Sequence, residues 1–216
     1  DDGVNDINSK GLEDVFVEKI SKNGEFVWVK TIGGRLSDVG SSIAIDNQDN
    51  IYTTGSFSLD VDFDPGKERV EMKSLGNTDV FVQKLNPDGV FIWAKSLGGL
   101  GYDYGSCVKV DKQQNVYLTG SFEGKADFDP SSTLTNYHLA KGGSDLFVEK
   151  LDLDGGFLWT KVIGATQDEA GYSMAVDAQG HVYVTGFFKG ALKLDVNNQT
   201  VKLKSKGKED ILTFKQ

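Results

Sequence analysis

The sequence predicts an all-β protein assembled from repeats of a single unit, and two observations carry this prediction. One phrase returns three times, as "NIYTTGSF" (50–57), "NVYLTGSF" (115–122) and "HVYVTGFF" (181–188). Its tyrosines are 65 and then 66 residues apart, which is the kind of interval that marks a repeat architecture. The composition agrees, because 13 Phe, 7 Tyr and 3 Trp favour strands, while 26 Gly against 3 Pro favour tight turns.

Three further features recur with the same period, so that one unit contains four short strands. The first is an Asp that opens an apolar strand, in "DVFVEKI" (14–20), "DVFVQKL" (79–85), "DLFVEKL" (145–151) and "DILTFKQ" (210–216). The second is a Trp strand, in "FVWVKTIGG", "FIWAKSLGG" and "FLWTKVIGA", and the third is "DVGSSIAID", "DYGSCVKVD" and "EAGYSMAVD". Gly-containing turns such as "NPDGV" join neighbouring strands, which predicts antiparallel hairpins because Gly adopts positive φ without steric cost.

These strands are apolar on both faces, so each four-stranded sheet needs a cover on both sides. Successive sheets that stack around a common axis provide that cover, and this arrangement is a β-propeller. The sequence therefore predicts β-propeller blades of four antiparallel strands. The predicted organisation is a polar leader (1–13), a partial blade (14–34), two blades (38–99 and 103–164) and an incomplete blade (169–216).

The predicted strands do not close a ring. The pattern contains thirteen principal strands, or three and a quarter blades, whereas propellers have at least about four. We therefore expect a partial propeller, or a part of a larger or oligomeric ring. The remaining repeats belong to a longer chain, or a second copy associates as a homo-oligomer, because an open arc exposes an apolar face at each end.

The combined pattern resembles a known family. Asp-x-Phe-Val-x-Lys-Leu, a Gly turn, a Trp strand, Gly-Gly and then Asp-x-x-x-Asn-Val-Tyr-x-Thr-Gly, over residues 14–216, is similar to the bacterial β-propeller repeat of large secreted and surface proteins. The resemblance implies a structural or protein-interaction role in an exported bacterial protein, located outside the cell or on its surface. It implies no shared catalytic site.

The charge and the composition limit the classes of partner that the chain is expected to bind. A net charge of −9 argues against nucleic acid and anionic membranes, which attract clustered Lys and Arg. No apolar run approaches the roughly 18 residues that span a membrane, so membrane insertion is not expected. The expected partner is another protein or further repeats, and specificity is expected in the variable segments 58–78, 123–144 and 189–209, because loops on a repetitive frame carry function.

Two acidic stretches are candidate metal sites. Asp62 and Asp64 in "DVDFDPG", and Asp127 and Asp129 in "KADFDPS", place two carboxylates on one side of an extended segment. Ca²⁺ takes six to eight oxygen ligands of this kind, and it is the one cofactor that the sequence suggests. The alternative is a turn in which each Asp accepts backbone N–H groups before Pro.

Other repeated residues have structural interpretations. Asp46, Asp111 and Asp177 are expected to accept turn amides, with Asn50 and Asn115 in the left-handed conformation. The three tryptophans are expected to fill the gap between adjacent blades, with carbohydrate stacking as the alternative, at Trp28, Trp93 and Trp159.

Catalysis has little support, because the two histidines, His138 and His181, do not repeat and no nucleophile stands with a positioned base. The sequence therefore predicts a non-enzymatic propeller scaffold or protein-interaction module of an exported bacterial surface protein. One alternative is a calcium- or glycan-binding adhesion module. Another is a lyase or hydrolase at the channel mouth, for which the candidate residues are Asp168, Glu169 and Tyr172.

Overall fold

A computed structural model describes residues 8–196 and 199–215, and every regular element in these residues is a β-strand. Residues 1–7 of the predicted leader lie outside the described part. The first blade contains one antiparallel pair, β1 (Val15–Ile20) and β2 (Phe26–Ile32). No helix in the described residues is long and apolar enough to cross a membrane.

The second blade is a four-stranded antiparallel sheet with an inserted hairpin. Its elements are β3 (Val39–Ile45), β4 (Ile51–Phe57), β5 (Asp60–Asp62), β6 (Glu71–Lys73), β7 (Asp79–Leu85) and β8 (Phe91–Gly99). The strands pair in the order β3-β4-β7-β8, and β5 pairs with β6 as the insert.

The third and fourth blades repeat this order. The third blade pairs β9-β10-β11-β12, in which these strands are β9 (Tyr104–Val110), β10 (Val116–Asp127), β11 (Tyr137–Leu151) and β12 (Phe157–Ile163). The fourth pairs β13-β14-β17 and carries the insert β15–β16, with β13 (Glu169–Val176), β14 (Val182–Phe188), β15 (Ala191–Val196), β16 (Gln199–Lys204) and β17 (Asp210–Lys215).

The blades stack so that their inner strands lie on one common side of the protein. The first strand of the second, third and fourth blades is the inner strand, and β3 contacts β9, which in turn contacts β13. The apolar faces between the sheets form the core. Tyr52 of the second blade packs with Val108 and Leu118 of the third, and Tyr117 of the third packs with Met174 of the fourth. The predicted all-β fold of four-stranded propeller blades is confirmed as a partial propeller.

The inserts between the second and third strands of a blade form hairpins that the sequence analysis treated only as variable segments. In the third blade the insert is an extension of β10 and β11 beyond a bulge between Glu123 and Lys125. Ala126 and Asp127 in this extension pair with Gly99 and Gly98 at the end of β8. The Gly33–Asp62 bridge places the second-blade insert in the same way, so each of these inserts ties its blade to the preceding one.

The repeated Tyr-x-Thr-Gly phrase has a steric explanation. A Cβ on Gly55 would collide with the carbonyl oxygen of Val39, and a Cβ on Gly120 would collide with that of Tyr104. At this point the inner strand contains one extra residue, which is a β-bulge that brings its backbone against the Gly. The Thr before this Gly binds the neighbouring strand on the other side of β4, because Thr54 Oγ1 donates to the Phe81 carbonyl of β7 at 2.6 Å.

We expect Gly120→Ala to lower the free energy of unfolding by roughly 1–3 kcal/mol, because the added methyl group has no space beside the bulge. Denaturant unfolding monitored by tryptophan fluorescence measures the change. Gly207→Ala is the control, since a Cβ there meets no atom within 4 Å and the change should stay within about 0.5 kcal/mol. Equal stability of the two variants would contradict the steric explanation.

Candidate functional site

A carboxylate organises the turn between the first two strands of the second blade. Asp46 Oδ1 accepts the backbone N–H groups of Gln48 at 2.8 Å and Asn50 at 2.9 Å. Its Oδ2 accepts the Asn50 side-chain amide at 2.9 Å and the Tyr52 hydroxyl at 3.1 Å. The Tyr of the repeated phrase is therefore one of the donors that hold this turn.

The same network recurs in the other blades with one substitution. Asp111 accepts hydrogen bonds from the Asn115 amide and the Tyr117 hydroxyl, at 2.8 and 3.0 Å. In the fourth blade the Asn is replaced by His181, whose Nδ1 lies 2.8 Å from Asp177 Oδ2. The prediction that these aspartates accept turn amides is confirmed.

Hydrogen bonding keeps these turn carboxylates ionised. Burial raises the pKa of Asp46, but the hydrogen bonds from Asn50 and from Gln48 outweigh burial and hold the pKa below its usual value. The predicted backbone conformation was wrong in one detail. The left-handed residues of the two turns are Asp49 (φ 62°) and Gln114 (φ 65°), because the Asn side chains that follow them bind the carboxylates instead.

At the opposite end of the strands, two buried acids meet at the junction of the second and third blades. Asp103 Oδ2 accepts the Gly99 N–H at 2.7 Å, and Asp79 Oδ2 accepts the Leu75 N–H at 3.0 Å. A Cβ on Gly98 would lie 2.6 Å from Asp103 Oδ2 and 2.9 Å from Asp79 Oδ1, so Gly is required where the two carboxyl groups converge. Asp79 Oδ1 has no hydrogen-bond partner within the described residues.

This environment favours the protonated forms. Burial raises the pKa of Asp79 to about 6. Burial also raises the pKa of Asp103 to about 7, and the nearby charge of Asp79 adds to the increase. The pairs Asp14–Asp38 and Asp145–Glu169 occupy the equivalent blade junctions, and in each pair the first acid raises the pKa of the second.

Glu169, a candidate residue of the lyase or hydrolase alternative, occupies the repeat position of Asp103. Glu169 Oε2 accepts the Ala165 N–H at 2.8 Å, just as Asp103 binds Gly99. Its side chain is buried, and burial followed by the charge of Asp145 raises its pKa to about 7. The sequence signal was available, since "EAGYS" occupies the position of "DYGSC".

The other two candidate catalytic residues have separate partners. Asp168 forms an ion pair with Lys189, with Oδ2 and Nζ 2.8 Å apart. Tyr172 is an exposed bulge residue whose ring lies 5.5 Å from that of Phe187. With Glu169 bound to the Ala165 N–H, each of the three residues has a structural partner of its own.

The candidate calcium residues act as acceptors in turns of the inserts. Asp62 Oδ1 accepts the N–H groups of Asp64 and Val70, at 3.2 and 2.9 Å. Asp127 Oδ1 accepts those of Asp129 and Asn136, at 3.1 and 2.7 Å. Across residues 8–196 and 199–215, no three His, Cys, Asp or Glu side chains are grouped to hold a metal ion. The assignment of Ca²⁺ to Asp62, Asp64, Asp127 and Asp129 stays a prediction.

Trp28 and Trp93 each connect their blade to the next one, which confirms their predicted place between blades. Trp28 Nε1 donates to the Pro87 carbonyl of the second blade at 3.3 Å, and Lys19 Nζ donates to the same carbonyl at 2.8 Å. Trp93 and Lys84 donate in the same way to the Leu153 carbonyl of the third blade, at 3.2 and 3.4 Å. One carbonyl of each following turn is therefore held by a Lys and a Trp.

Sequence reasoning missed one buried acid, Glu149. The equivalent residue in the second blade is Gln83, whose Nε2 donates to the Phe63 carbonyl at 2.6 Å. Glu149 binds Thr160 through Oε2, while Oε1 has no partner within the described residues. Burial raises the pKa of Glu149 well above its usual value, which favours the neutral acid at a position where the repeat uses a neutral amide.

Comparison with a family model identifies the repeat. Residues 27–56, which run from the Trp strand β2 through the inner strand β3 to the Tyr-x-Thr-Gly strand β4, match the SBBP beta-propeller repeat. This segment contains three of the four features that recur along the chain.

Two curated relatives span most of the chain. An "Uncharacterized WD repeat-containing protein L264" of Acanthamoeba polyphaga mimivirus is 30% identical over 190 residues, covering 81% of this chain and 14% of that protein. "Regulatory protein FlaEY" of Caulobacter vibrioides is 26% identical over 170 residues, covering 78% of this chain and 17% of that protein. The chain therefore spans less than a fifth of the length of either relative.

A solved structure of a protein of unknown function from Bacteroides caccae aligns with 92% of this chain and 72% of its own chain. The sequence identity is 14% and the TM-score is 0.30, which is too low to carry an argument.

The paired acids predict a stability that falls as the pH rises. A raised pKa in the folded state gives stabilisation that is complete below the unfolded pKa near 4, and that is lost as the pH passes about 6 to 7. Asp79→Asn removes the negative charge that burial disfavours at this position. We expect it to raise the free energy of unfolding by roughly 2 kcal/mol at pH 8.5, with little change at pH 4.5.

Thermal unfolding between pH 4.5 and 8.5 measures this effect. Asp210→Asn is the matched control, because Asp210 opens its strand in the same way and accepts the Lys206 N–H at 2.7 Å, but the described residues place no inner-strand acid beside it. A destabilised Asp79→Asn variant at pH 8.5, or an equal response of both variants, would contradict the interpretation.

Proposed function

Because the chain is built from β-propeller repeats, we propose that it is a non-catalytic interaction scaffold within an exported bacterial surface protein. The observation that supports this proposal is that the repeated polar side chains bind the backbone of the propeller itself. Asp46, Asp79, Asp103 and Trp93 each bind backbone groups of the propeller, and so does Glu169, a candidate residue of the enzyme alternative. The polar residues that recur thus bind the propeller itself, either within a turn or between blades.

The proposed binding surface is the insert of the third blade. Its side chains include exposed large apolar residues, Leu134, Tyr137 and Leu139, whereas most residues in the parts of β10 and β11 within the blade are buried. Lys125 Nζ lies 3.6 Å from the centre of the Tyr137 ring, which adds a cation–π pair to this surface. Exposed apolar and aromatic side chains beside a charge are typical of protein-interaction surfaces, and loops on a rigid frame supply them most readily.

The relatives support a scaffold role within a larger molecule. One is named as a WD repeat-containing protein and the other as a regulatory protein, and both are several times longer than this chain. We extend the proposal to the extracellular or surface location that the repeat resemblance implies. A viral relative and a bacterial relative are both compatible with the interaction role, and the location is tested separately below.

Site-specific photo-crosslinking in producing cells tests the binding surface. A photoreactive amino acid at Leu139 (71% exposed) is expected to give a discrete protein adduct, because this side chain would face the partner. Val90 (57% exposed), which lies in the turn between β7 and β8 at the opposite end of the second blade, is the control position and should not give that adduct. The same adduct pattern at both positions, or none at Leu139, would contradict the proposed surface.

Trypsin treatment of intact cells tests the surface location. Lys67 and Arg69 are exposed in the second-blade insert, whereas Lys84 is buried between blades. Export predicts peptides cut after Lys67 or Arg69 from intact cells, with cleavage after Lys84 only after denaturation. Release of the insert peptides only after cell lysis would place the protein inside the cell.

A further inference from the structure

The insert of the second blade is attached to its sheet by a buried amide. Gln83 of β7 is fully buried, and its Nε2 donates to the Phe63 carbonyl at 2.6 Å. Phe63 belongs to "DVDFDPG", the stretch that begins the insert. One hydrogen bond from the sheet therefore fixes the backbone of the insert at this point.

The insert of the third blade packs on its sheet in the same way. Phe128 of "KADFDPS" is buried, and its ring lies 5.1 Å from that of Phe122 and 5.0 Å from that of Phe147. The ring of Phe63 lies 5.2 Å from each of two Phe rings in its own blade. Because the two rings are held alike, the repeat places the Phe128 carbonyl where the second blade has the Phe63 carbonyl.

Glu149 of β11 stands at the position of Gln83 in this arrangement. It is fully buried, its Oε2 accepts a hydrogen bond from the Thr160 hydroxyl, and its Oε1 has no partner within the described residues. A carboxylate has no hydrogen to donate, whereas a neutral carboxylic acid has one O–H. Only the protonated form of Glu149 can therefore make the bond to the Phe128 carbonyl that Gln83 makes to Phe63.

Glu149 faces the second blade and has uncharged partners in its own sheet. Phe147 and Leu151, two residues away on the same face of β11, belong to the core shared with the second blade. The strand neighbours of Glu149 are Leu118 of β10 and Thr160 of β12. Neither neighbour can compensate a negative charge.

The lysines on this face of the second blade have other partners. Lys84 Nζ donates to the Leu153 carbonyl at 3.4 Å. Lys95 packs on the same turn of the third blade, where a Cβ on Gly155 would lie 2.8 Å from its Cε. Across residues 8–196 and 199–215, no Lys, Arg or His forms an ion pair with Glu149.

The insert itself also offers no compensating charge at high pH. Asp129 follows Phe128, and its negative charge disfavours a second one on Glu149. The His138 ring lies 5.7 Å from the Phe128 ring, and burial lowers the pKa of His138, which keeps it neutral as the pH rises. An ionised Glu149 would thus be a buried charge that faces a carbonyl oxygen and another acid.

We propose that Glu149 holds the third-blade insert in a proton-dependent way: as a neutral acid it donates a hydrogen bond to the Phe128 carbonyl, and its ionisation breaks that bond and loosens the insert. This inference rests on the proposed function, because the insert carries Tyr137 and Leu139 of the proposed binding surface. It adds that this surface is best ordered, and binds its partner most tightly, at low pH.

The direction of the pH dependence follows from burial. Burial raises the pKa of Glu149 well above its usual value, the hydrogen bond from Thr160 opposes this increase, and the charge of Asp129 adds to it. A raised pKa in the folded state gives stabilisation that is complete below the unfolded pKa near 4.3, and that is lost as the pH rises through the folded value. Loosening of the insert is therefore expected on the alkaline side.

Hydrogen exchange of backbone amides between pH 5 and pH 9, corrected for the intrinsic exchange rate at each pH, tests the proposal. The second-blade insert (63–72) is the internal reference for the third-blade insert (128–139). From the lowest to the highest pH, we expect the protection of 128–139 to fall at least about tenfold relative to that of 63–72, because a hydrogen bond is lost and a buried charge is left unpaired.

Two exchanged variants identify the group responsible. Glu149→Gln restores the amide donor of the second blade, so the protection of 128–139 should no longer depend on pH. Gln83→Glu is the matched reverse change and should transfer the pH dependence to 63–72. A pH dependence that came from the acids Asp79 and Asp103 would instead persist in Glu149→Gln.

Wild-type protection of 128–139 that is independent of pH, or a Glu149→Gln variant with the pH dependence of the wild type, would overturn the proposal. The Glu149→Gln comparison decides the question alone if Gln83→Glu does not fold. The exchange measurement needs no partner, so a missing Leu139 crosslink would count against the proposed function and leave the role of Glu149 intact.

Discussion

The structure depends on one packing constraint: a four-stranded sheet that is apolar on both faces is stable only between two neighbours. All seven residues of β4 and all seven of β7 are buried, on both sides of their sheet. Tyr52 points to one neighbour and Phe81 to the other. The bulge glycines, the Lys–Trp contacts and the paired acids all lie where neighbouring strands or blades meet, and each allows the backbones to approach closely enough to exclude water.

The two ends of the blades use carboxylates in opposite ways. At the Asp46 end, four hydrogen bonds from N–H and O–H donors favour the ionised form, so that this end contributes stability that is lost on acidification. At the Asp79–Asp103 end, burial of both acids and the charge of Asp79 beside Asp103 favour protonation, so that stability is lost as the pH rises. The number of donors that each carboxylate faces decides its behaviour, although both belong to the same repeat. A stability maximum between these two transitions follows from the architecture itself.

The sequence predicted the features that depend on local chemistry. Strands, turn glycines and the Asp that binds each turn follow from periodicity and from the conformations that Gly and Asp adopt. The pairing of Asp62 with Gly33 was not predictable, because it joins segments from two blades whose approach depends on packing. Glu149 was missed for a similar reason, since its burial is set by the neighbours around it. The place of Glu169 in the repeat could be predicted, because "EAGYS" aligns with "DYGSC", but its burial beside Asp145 depends on how the blades pack.

Equivalent residues in different repeats show how much burial a neighbouring blade provides. Phe16 and Phe81 are the same residue in the same repeat position, but one is 67% exposed and the other is fully buried. Their own strands are alike in sequence, so the difference comes from the presence or absence of the adjacent sheet. Stability in such an array is the sum of the intrinsic terms of each unit and the nearest-neighbour terms between units. Because a single sheet cannot cover its own apolar faces, the intrinsic term is unfavourable and the contacts between blades supply the stability.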